Sequence, residues 1–310
     1  MSLKPKIVVI FPYKFLQNTH LRYEIEMYEK YCDVTIIELA SIVSPVFSSP
    51  PKDTQFNGEN LIHLKTLQDL ISELNKLDES VLIFNQVRDD SLKGLVINLL
   101  IKRSKPSVIS FMNSGLSLNK TYKKNIFRSL LSLMIRRFFY FFIAPDYLLV
   151  AGSEYYQRVK KYLPSKTKII YGHSWEYSNN ISSKLSDKSE LDFKYAVLID
   201  GAGPKFSDSR VISKESYSLT VEKWYPAMVK FMNQIELKTG IRVVIAGHPL
   251  SNFESNPIDY GGRPVYYGKT QELIKSCDFA ITRHSTASSF CVIFDKPMIN
   301  IYSNEIPVNS

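Results

Sequence analysis

Short runs of apolar residues alternate with longer, mostly polar segments along this chain. Lys6–Phe11, Val34–Leu39 and Ser80–Asn85 are almost continuously apolar, as strands of a parallel sheet buried on both faces are. His20–Tyr31 and Leu67–Leu77, which lie between them, have helical spacing. The order strand, helix, strand predicts an α/β domain with a parallel sheet.

The same alternation continues to the end of the chain and is interrupted once. Ser178–Asp192 is polar, charged and without periodicity, which predicts a linker between two domains, residues 1–180 and 190–310. A length of 310 residues and an apolar content of 45% fit two folded domains. Further predicted strands are Ser107–Met112, Asp146–Ala151, Lys168–Tyr171, Tyr195–Asp200, Val243–Ala246, Pro264–Tyr267 and Asp278–Thr282.

Positive charge is concentrated in one part of the chain. The net charge is +9, yet Ser91–Pro145 alone carries ten Lys or Arg and no acidic residue. Within it, the predicted helix 119–143 mixes cations with bulky apolar residues, which is typical of a helix lying on an anionic membrane surface. The alternative is a helix that covers the sheet and turns its lysines to water. No nucleic-acid reader motif accompanies the charge, so nucleic acid is not expected as a partner. The candidate membrane-facing residues are Lys120, Lys123, Lys124, Arg128, Arg136 and Arg137.

Several classes of protein are disfavoured by the sequence. Cys32, Cys277 and Cys291 are scattered and lack metal-ligand spacing, which indicates free thiols in a reducing compartment. The apolar run near the amino terminus is too short for a signal peptide, and Leu130–Gly152 is interrupted by charges and a proline. A cytoplasmic protein is therefore expected, either free or peripheral on the inner face of the plasma membrane.

Residues suited to catalysis follow the predicted strands of the second half. Carboxyl ends of parallel strands meet at one edge of a sheet, where ligands bind in open α/β folds. Asp200 is a candidate base or ribose contact, with a simple turn residue as the alternative. His248 is suited to donating to a phosphate. Ser285 and Thr286 begin a predicted helix, where they would cap it or bind an anion. Lys269, Arg283 and His284 also follow strand ends.

In the first half, His20 follows the first strand and its loop and is a second candidate base, or else a polar residue of a first helical turn. The sequence contains no Gly-x-Gly-x-x-Gly, no Gly-x-x-x-x-Gly-Lys and no Asp-x-Asp. Neither a dinucleotide cofactor, nor a P-loop, nor a metal bridging a diphosphate is therefore expected.

The second half also resembles a known family. Gly268–Thr282, His284-Ser285-Thr286 and Asp295–Ile299 resemble the donor-binding half of GT-B glycosyltransferases. The pattern is similar to that of bacterial sialyltransferases and related surface-polysaccharide transferases. Those have an acidic-acidic-Gly motif, then His-Pro, then Ser-Ser/Thr. Here Ile199-Asp200-Gly201, His248-Pro249 and Ser285-Thr286 occupy those places, and Ile199 replaces the first acid.

The resemblance implies two Rossmann-like domains that face each other across a cleft, with the nucleotide-sugar donor bound by the second. Asp200 would be the general base, and the donor would contact Gly201, His248, Pro249, Lys269, Arg283, His284, Ser285 and Thr286. The acceptor would be a saccharide or a lipid-linked molecule. No Glu-x7-Glu pattern, common in retaining members, lies near Ser285, which favours inversion. The lack of Asp-x-Asp favours a reaction without a bound metal. A CDP-polyol-phosphate transferase and a non-catalytic membrane-surface subunit are the alternatives. The fold usually returns a final helix, so this chain is expected to be truncated or to lack it.

Overall fold

The computed structural model describes residues 4–43, 56–89, 91–112, 134, 137–182, 191–201, 220–248, 259–283 and 285–301. The chain divides into two compact units, and the first gives way to the second between His173 and Ser174. Each unit is built on one sheet whose strands are all parallel. The predicted α/β class with two parallel sheets is confirmed.

The first unit contains a seven-stranded sheet with the strand order β3-β2-β1-β4-β5-β6-β7. Residues 137–143, between β5 and β6, are also helical. The bounds are β1 (Lys6–Phe11), α1 (Gln17–Arg22), α2 (Ile25–Tyr31), β2 (Asp33–Glu38), α3 (Ala40–Val43), β3 (Leu61–His63), α4 (Leu67–Asn75), β4 (Val81–Asn85), α5 (Leu92–Arg103), β5 (Ser107–Met112), β6 (Tyr147–Ala151), α6 (Ser153–Val159) and β7 (Lys168–Gly172).

Burial along the strands of the first unit follows their position in the sheet. In β1, which pairs with β2 and β4, the four central residues are buried because neighbours cover both edges and helices cover both faces. In the edge strand β7 no residue is fully buried. Ser91 caps α5 by accepting a hydrogen bond from the Gly94 N–H at 3.1 Å, which satisfies one of the free N–H groups of the first turn.

The second unit contains a five-stranded sheet with the strand order β10-β9-β8-β11-β12. A 3-10 helix, Thr286–Ser288, directly precedes its last α-helix. The bounds are α7 (Trp175–Ser182), β8 (Tyr195–Ile199), α8 (Val221–Thr239), β9 (Arg242–Gly247), β10 (Val265–Tyr267), α9 (Thr270–Ser276), β11 (Phe279–Thr282), α10 (Ser289–Ile293) and β12 (Met298–Asn300).

The central strand of the second sheet is β8, and all five of its residues are buried. It pairs in parallel with β9 on one side and β11 on the other, so that Ile199 lies opposite both Ala246 and Thr282. Helix α8 ends at Thr239 and is followed by the capping residue Gly240, whose φ of 69° is the left-handed conformation that glycine adopts most easily. Its N–H donates to the Glu236 carbonyl at 2.9 Å, and β9 begins two residues later.

Two predicted segments differ from the structure, and one strand was missed. The single helix predicted over His20–Tyr31 is two helices, because Glu24 has a φ of 51° and interrupts the helical path. Ser178–Ser182, predicted to be linker, are the end of α7. Strand β3 was not predicted, because three residues are too short to show a period. No helix among the described residues is long and apolar enough to cross a bilayer.

Candidate functional site

The carboxyl edge of the second sheet brings several predicted residues onto neighbouring strands. Asp200 follows the central strand β8, His248 follows β9, and Arg283 follows β11. The Asp200 N–H donates to the Ala246 carbonyl at 3.0 Å, which continues the β8–β9 ladder beyond Ile199. Asp200 therefore has a fixed position between the strand ends that lead to His248 and Arg283.

Asp200 is buried, and so is Tyr260 beside it. Burial raises the pKa of the Tyr260 hydroxyl far above its ordinary value, and the negative charge of Asp200 raises it further. The ring of Tyr225 packs edge-to-face against Tyr260, with centroids 5.9 Å apart. The phenol therefore stays protonated at neutral pH and keeps its capacity to donate a hydrogen bond next to the carboxylate.

The sequence analysis missed Tyr260. Gly261 and Gly262, both with positive φ, follow it and mark a turn before β10. That local signal predicts a turn. It does not relate Tyr260 to the distant Asp200, because only the folded sheet brings these two residues together.

Arg283 is oriented by an aromatic side chain. Its guanidinium carbon lies 5.1 Å from the centroid of the Trp224 ring in α8, a cation–π contact. A Cβ built on Gly201 would lie 3.7 Å from the Arg283 carbonyl oxygen, which is ordinary contact, so the two strand ends are close neighbours. Trp224 was not predicted as part of this edge, since nothing in its local sequence relates it to Arg283.

Ser285 acts as a helix cap, one of the two roles its position predicted. Its Oγ accepts a hydrogen bond from the Ala287 N–H at 3.3 Å, and its carbonyl accepts one from the Ser288 hydroxyl at 2.6 Å. Thr286, at the start of the 3-10 helix, is exposed. Lys269 precedes α9 at the carboxyl end of the edge strand β10, and it is exposed as well. Anion binding by these residues stays a prediction.

His20 belongs to the first unit, where it lies in α1 and is only 4% exposed. Its ring stacks on Phe56, with centroids 4.6 Å apart, and stands edge-on to Phe15 at 6.5 Å. Its Nε2 is 3.6 Å from a Glu29 carboxylate oxygen, and neither ring nitrogen has a hydrogen-bond partner among the residues that the structure describes. The structure thus places the second candidate base in an aromatic enclosure beside one carboxylate.

Some predicted residues cannot be placed. Pro249, His284, Lys120, Lys123, Lys124, Arg128 and Arg136 lie outside the described residues, whereas Arg137 is helical and exposed. Within the described ranges no three His, Cys, Asp or Glu side chains form a group that could hold a metal ion. Gly201 is exposed at the end of the central strand, next to Asp200.

Comparison with known proteins bears on the fold. No family model and no curated protein sequence matches this chain. Among solved structures, it is similar to the Methanocaldococcus jannaschii UDP-GlcNAc 2-epimerase in complex with UDP-GlcNAc and UDP, with 14% identity and a TM-score of 0.53. That alignment covers 95% of this chain and 83% of the epimerase.

A second solved structure is similar to this chain to a comparable extent. UGT2 of Phytolacca americana, complexed with UDP-2fluoro-glucose and pterostilbene, has 8% identity and a TM-score of 0.50. The alignment covers 98% of this chain and 82% of UGT2. At these identities the likeness establishes the fold, so the chain has the GT-B fold of Rossmann-like glycosyltransferases and epimerases.

Proposed function

We propose that this protein is a glycosyltransferase that takes its sugar from a nucleotide-activated donor. One observation carries the proposal: a buried carboxylate, Asp200, ends the central strand of the second sheet between the strands that lead to His248 and Arg283. The GT-B fold supports it, because ligands bind at the carboxyl edge of open parallel sheets. The motif resemblance adds a donor of the CMP-sialic-acid kind and a place in surface-polysaccharide or lipooligosaccharide synthesis.

The proposed reaction is a single displacement with inversion and without a bound metal. Asp200 accepts the proton of an acceptor hydroxyl, and the oxygen forms a bond to the anomeric carbon as the bond from that carbon to the donor phosphate breaks. The phosphate leaves with the electron pair. General-base assistance of this kind contributes roughly 10²–10⁴-fold to the rate. His20, enclosed by Phe15 and Phe56, is the alternative base.

The departing phosphate requires stabilisation by positive charge and hydrogen-bond donors. Arg283 supplies a guanidinium already oriented by Trp224, and His248 supplies an imidazole one strand away from Asp200. In the proposal Lys269, Ser285 and Thr286 add an ammonium group and two hydroxyls, and Gly201, Pro249 and His284 complete the donor contacts. These groups take the role that a metal ion has in other transferases.

Nucleotide binding is the first test. The free energy of unfolding should rise by about 2.7 kcal/mol when the matching nucleotide is present at about 100 times its Kd. CMP, CDP, UDP and GDP are compared by thermal shift. The corresponding sugar donors, CDP-linked polyols included, are then assayed for turnover with and without saccharide acceptors. A chain that no nucleotide stabilises and that consumes no donor is not a transferase.

The variant His248→Ala tests whether the carboxyl edge of the second sheet is the donor site. We expect this variant to lose most donor turnover and to keep its fold, while Lys194→Ala, at the opposite edge of the same sheet, keeps wild-type rates. Wild-type turnover in His248→Ala removes His248 from the site. Conversion of UDP-GlcNAc without any acceptor would instead identify an epimerase, the activity named for one structural neighbour.

A further inference from the structure

The first unit exposes a stripe of aromatic side chains to solvent. Phe138, Phe141 and Phe142, in the helical residues 137–143, are 64%, 65% and 46% exposed. The rings contact one another, with centroids 5.3 Å apart for Phe138 and Phe142 and 5.2 Å for Phe141 and Phe142. Met134, one turn earlier, is 70% exposed. A contiguous apolar patch of this kind on a soluble unit marks a contact surface.

Lys166 borders these rings, and Lys168, two residues later in the chain, lies over the neighbouring Tyr147. The Lys166 ammonium lies 5.9 Å from the centroid of Phe141, and the Lys168 ammonium lies 5.5 Å from that of Tyr147. Both lysines are exposed, at or next to the edge strand β7. Residues 137–173 carry six Lys or Arg and two acidic residues. One of the two, Asp146, already pairs with Lys102 and accepts the Val108 N–H, so it does not neutralise the lysines.

We propose that Phe138, Phe141, Phe142, Lys166 and Lys168 form an aromatic–basic surface that binds an anionic lipid membrane. Aromatic rings insert favourably at the level of the lipid headgroups, and each lysine near an anionic surface adds about 1 kcal/mol of attraction. A second copy of this chain is a poor occupant, because it would bring two sets of like charges together.

This surface goes beyond the predicted helix 119–143. Most of that helix's cations lie outside the described residues, whereas Lys166 and Lys168 come from a later part of the chain and were not predicted to take part. The contact of Lys166 with Phe141 joins the carboxyl end of the aromatic segment to the residues just before β7. Its binding to lipid does not depend on the transferase activity proposed above, so either proposal can fail alone.

Vesicle flotation of the full chain tests the proposal. We expect binding to phosphatidylcholine vesicles that contain phosphatidylglycerol, little binding to phosphatidylcholine alone, and loss of binding as salt screens the charges. Lys166→Glu combined with Lys168→Glu should weaken binding about 30-fold or more, from about 1 kcal/mol for each lysine. Phe141→Ser combined with Phe142→Ser should weaken it about tenfold or more, because apolar burial is lost.

Matched controls lie in the second unit. Leu237 is 86% exposed and Lys238 follows it in α8, so Leu237→Ser and Lys238→Glu make the same kinds of change away from the surface and should leave binding unchanged. Circular dichroism confirms that all variants fold. Absence of binding to both vesicle types overturns the proposal, as does equal loss in the control variants. A dimer that dissociates in the Phe141→Ser, Phe142→Ser variant would assign the surface to a second copy instead.

Discussion

The buried polar groups at the carboxyl edges of the two sheets differ in their hydrogen bonding. At the first edge, the buried Glu38 carboxylate accepts the Phe15 N–H at 2.8 Å and pairs with His63 Nδ1 at 3.1 Å. At the second edge, the side-chain oxygens of Thr282 and Asn300, on paired strands, have no hydrogen-bond partner in the described part of the chain. A buried polar group left without a partner costs about 1–3 kcal/mol. The first edge thus uses its buried polar groups to join its own elements, whereas the described part of the second edge includes buried oxygens that are not used in this way.

His20 is the exception in the first unit. It is buried as Glu38 is, yet neither of its ring nitrogens forms a hydrogen bond with any described part of the chain. The His20 ring is held in place by stacking on Phe56 and by the nearby Glu29 carboxylate. Neither contact provides a hydrogen bond to a ring nitrogen. The difference in hydrogen bonding therefore holds for individual residues as well as for whole sheet edges. Buried polar groups without a hydrogen bond are the candidates for function, and those with one are the candidates for stability.

The largest effect is expected for Asp200→Asn. Removing the charge of the proposed base while keeping its shape should lower the transfer rate by roughly 10²–10⁴-fold and leave the thermal shift with nucleotide in place. Asp278→Asn, at the amino end of β11 in the same sheet, is the control and should keep its rate. If Asp200→Asn lowers stability and not the rate, Asp200 is a turn residue, and the second edge resembles the first.

Asn98→Ala should destabilise the first unit by about 1–3 kcal/mol without a direct effect on chemistry. Asn98 accepts a hydrogen bond from the buried Asn85 side chain at 2.5 Å and donates to the carbonyls of Val87 and Gly94 at 3.3 and 2.9 Å. The truncation removes the hydrogen-bond partner of the Asn85 side-chain amide and of the Val87 carbonyl, whereas the Gly94 carbonyl keeps its backbone bond within α5. Urea unfolding measures the change, and Leu92→Ala, at an exposed position of the same helix, should be near neutral. An equally neutral Asn98→Ala would show that this network does not stabilise the first unit.

The smallest expected effect is the change in stability when one buried hydroxyl is removed from each unit, and its sign should differ between the two units. Thr282→Val replaces a hydroxyl that has no hydrogen-bond partner among the described residues by a methyl group. The unliganded protein should therefore be unchanged or more stable by up to about 1 kcal/mol, while donor affinity falls. Thr167→Val is the counterpart in the first unit. There the hydroxyl donates to the Pro145 carbonyl at 2.9 Å, and its loss should destabilise by about 1 kcal/mol. Thermal unfolding with and without nucleotide measures both. Destabilisation by Thr282→Val would mean that its hydroxyl is already satisfied.

Most strands were predictable because a strand buried in a parallel sheet is a continuous apolar run, as in β1, β5 and β8. Placing Asp200, His248 and Arg283 at one edge followed from the same pattern, since each directly follows such a run. The break at Glu24 and strand β3 were missed, because a single left-handed residue and a three-residue strand leave no periodic signal. Tyr260 and Trp224 were missed because their partners are distant in the chain.

Local sequence is sufficient to predict that the chain forms parallel α/β sheets and which polar residues follow their strands, because burial requires apolar runs and the runs end where the chain leaves the core. Which of those residues become neighbours depends on how the chain folds. Strand order is a property of the assembled sheet: β8 lies between β9 and β11, and this places Asp200 between the strand ends of His248 and Arg283. The folded structure also determines which polar groups have a hydrogen-bond partner, since hydrogen bonds such as those of Glu38 join residues that no local pattern relates.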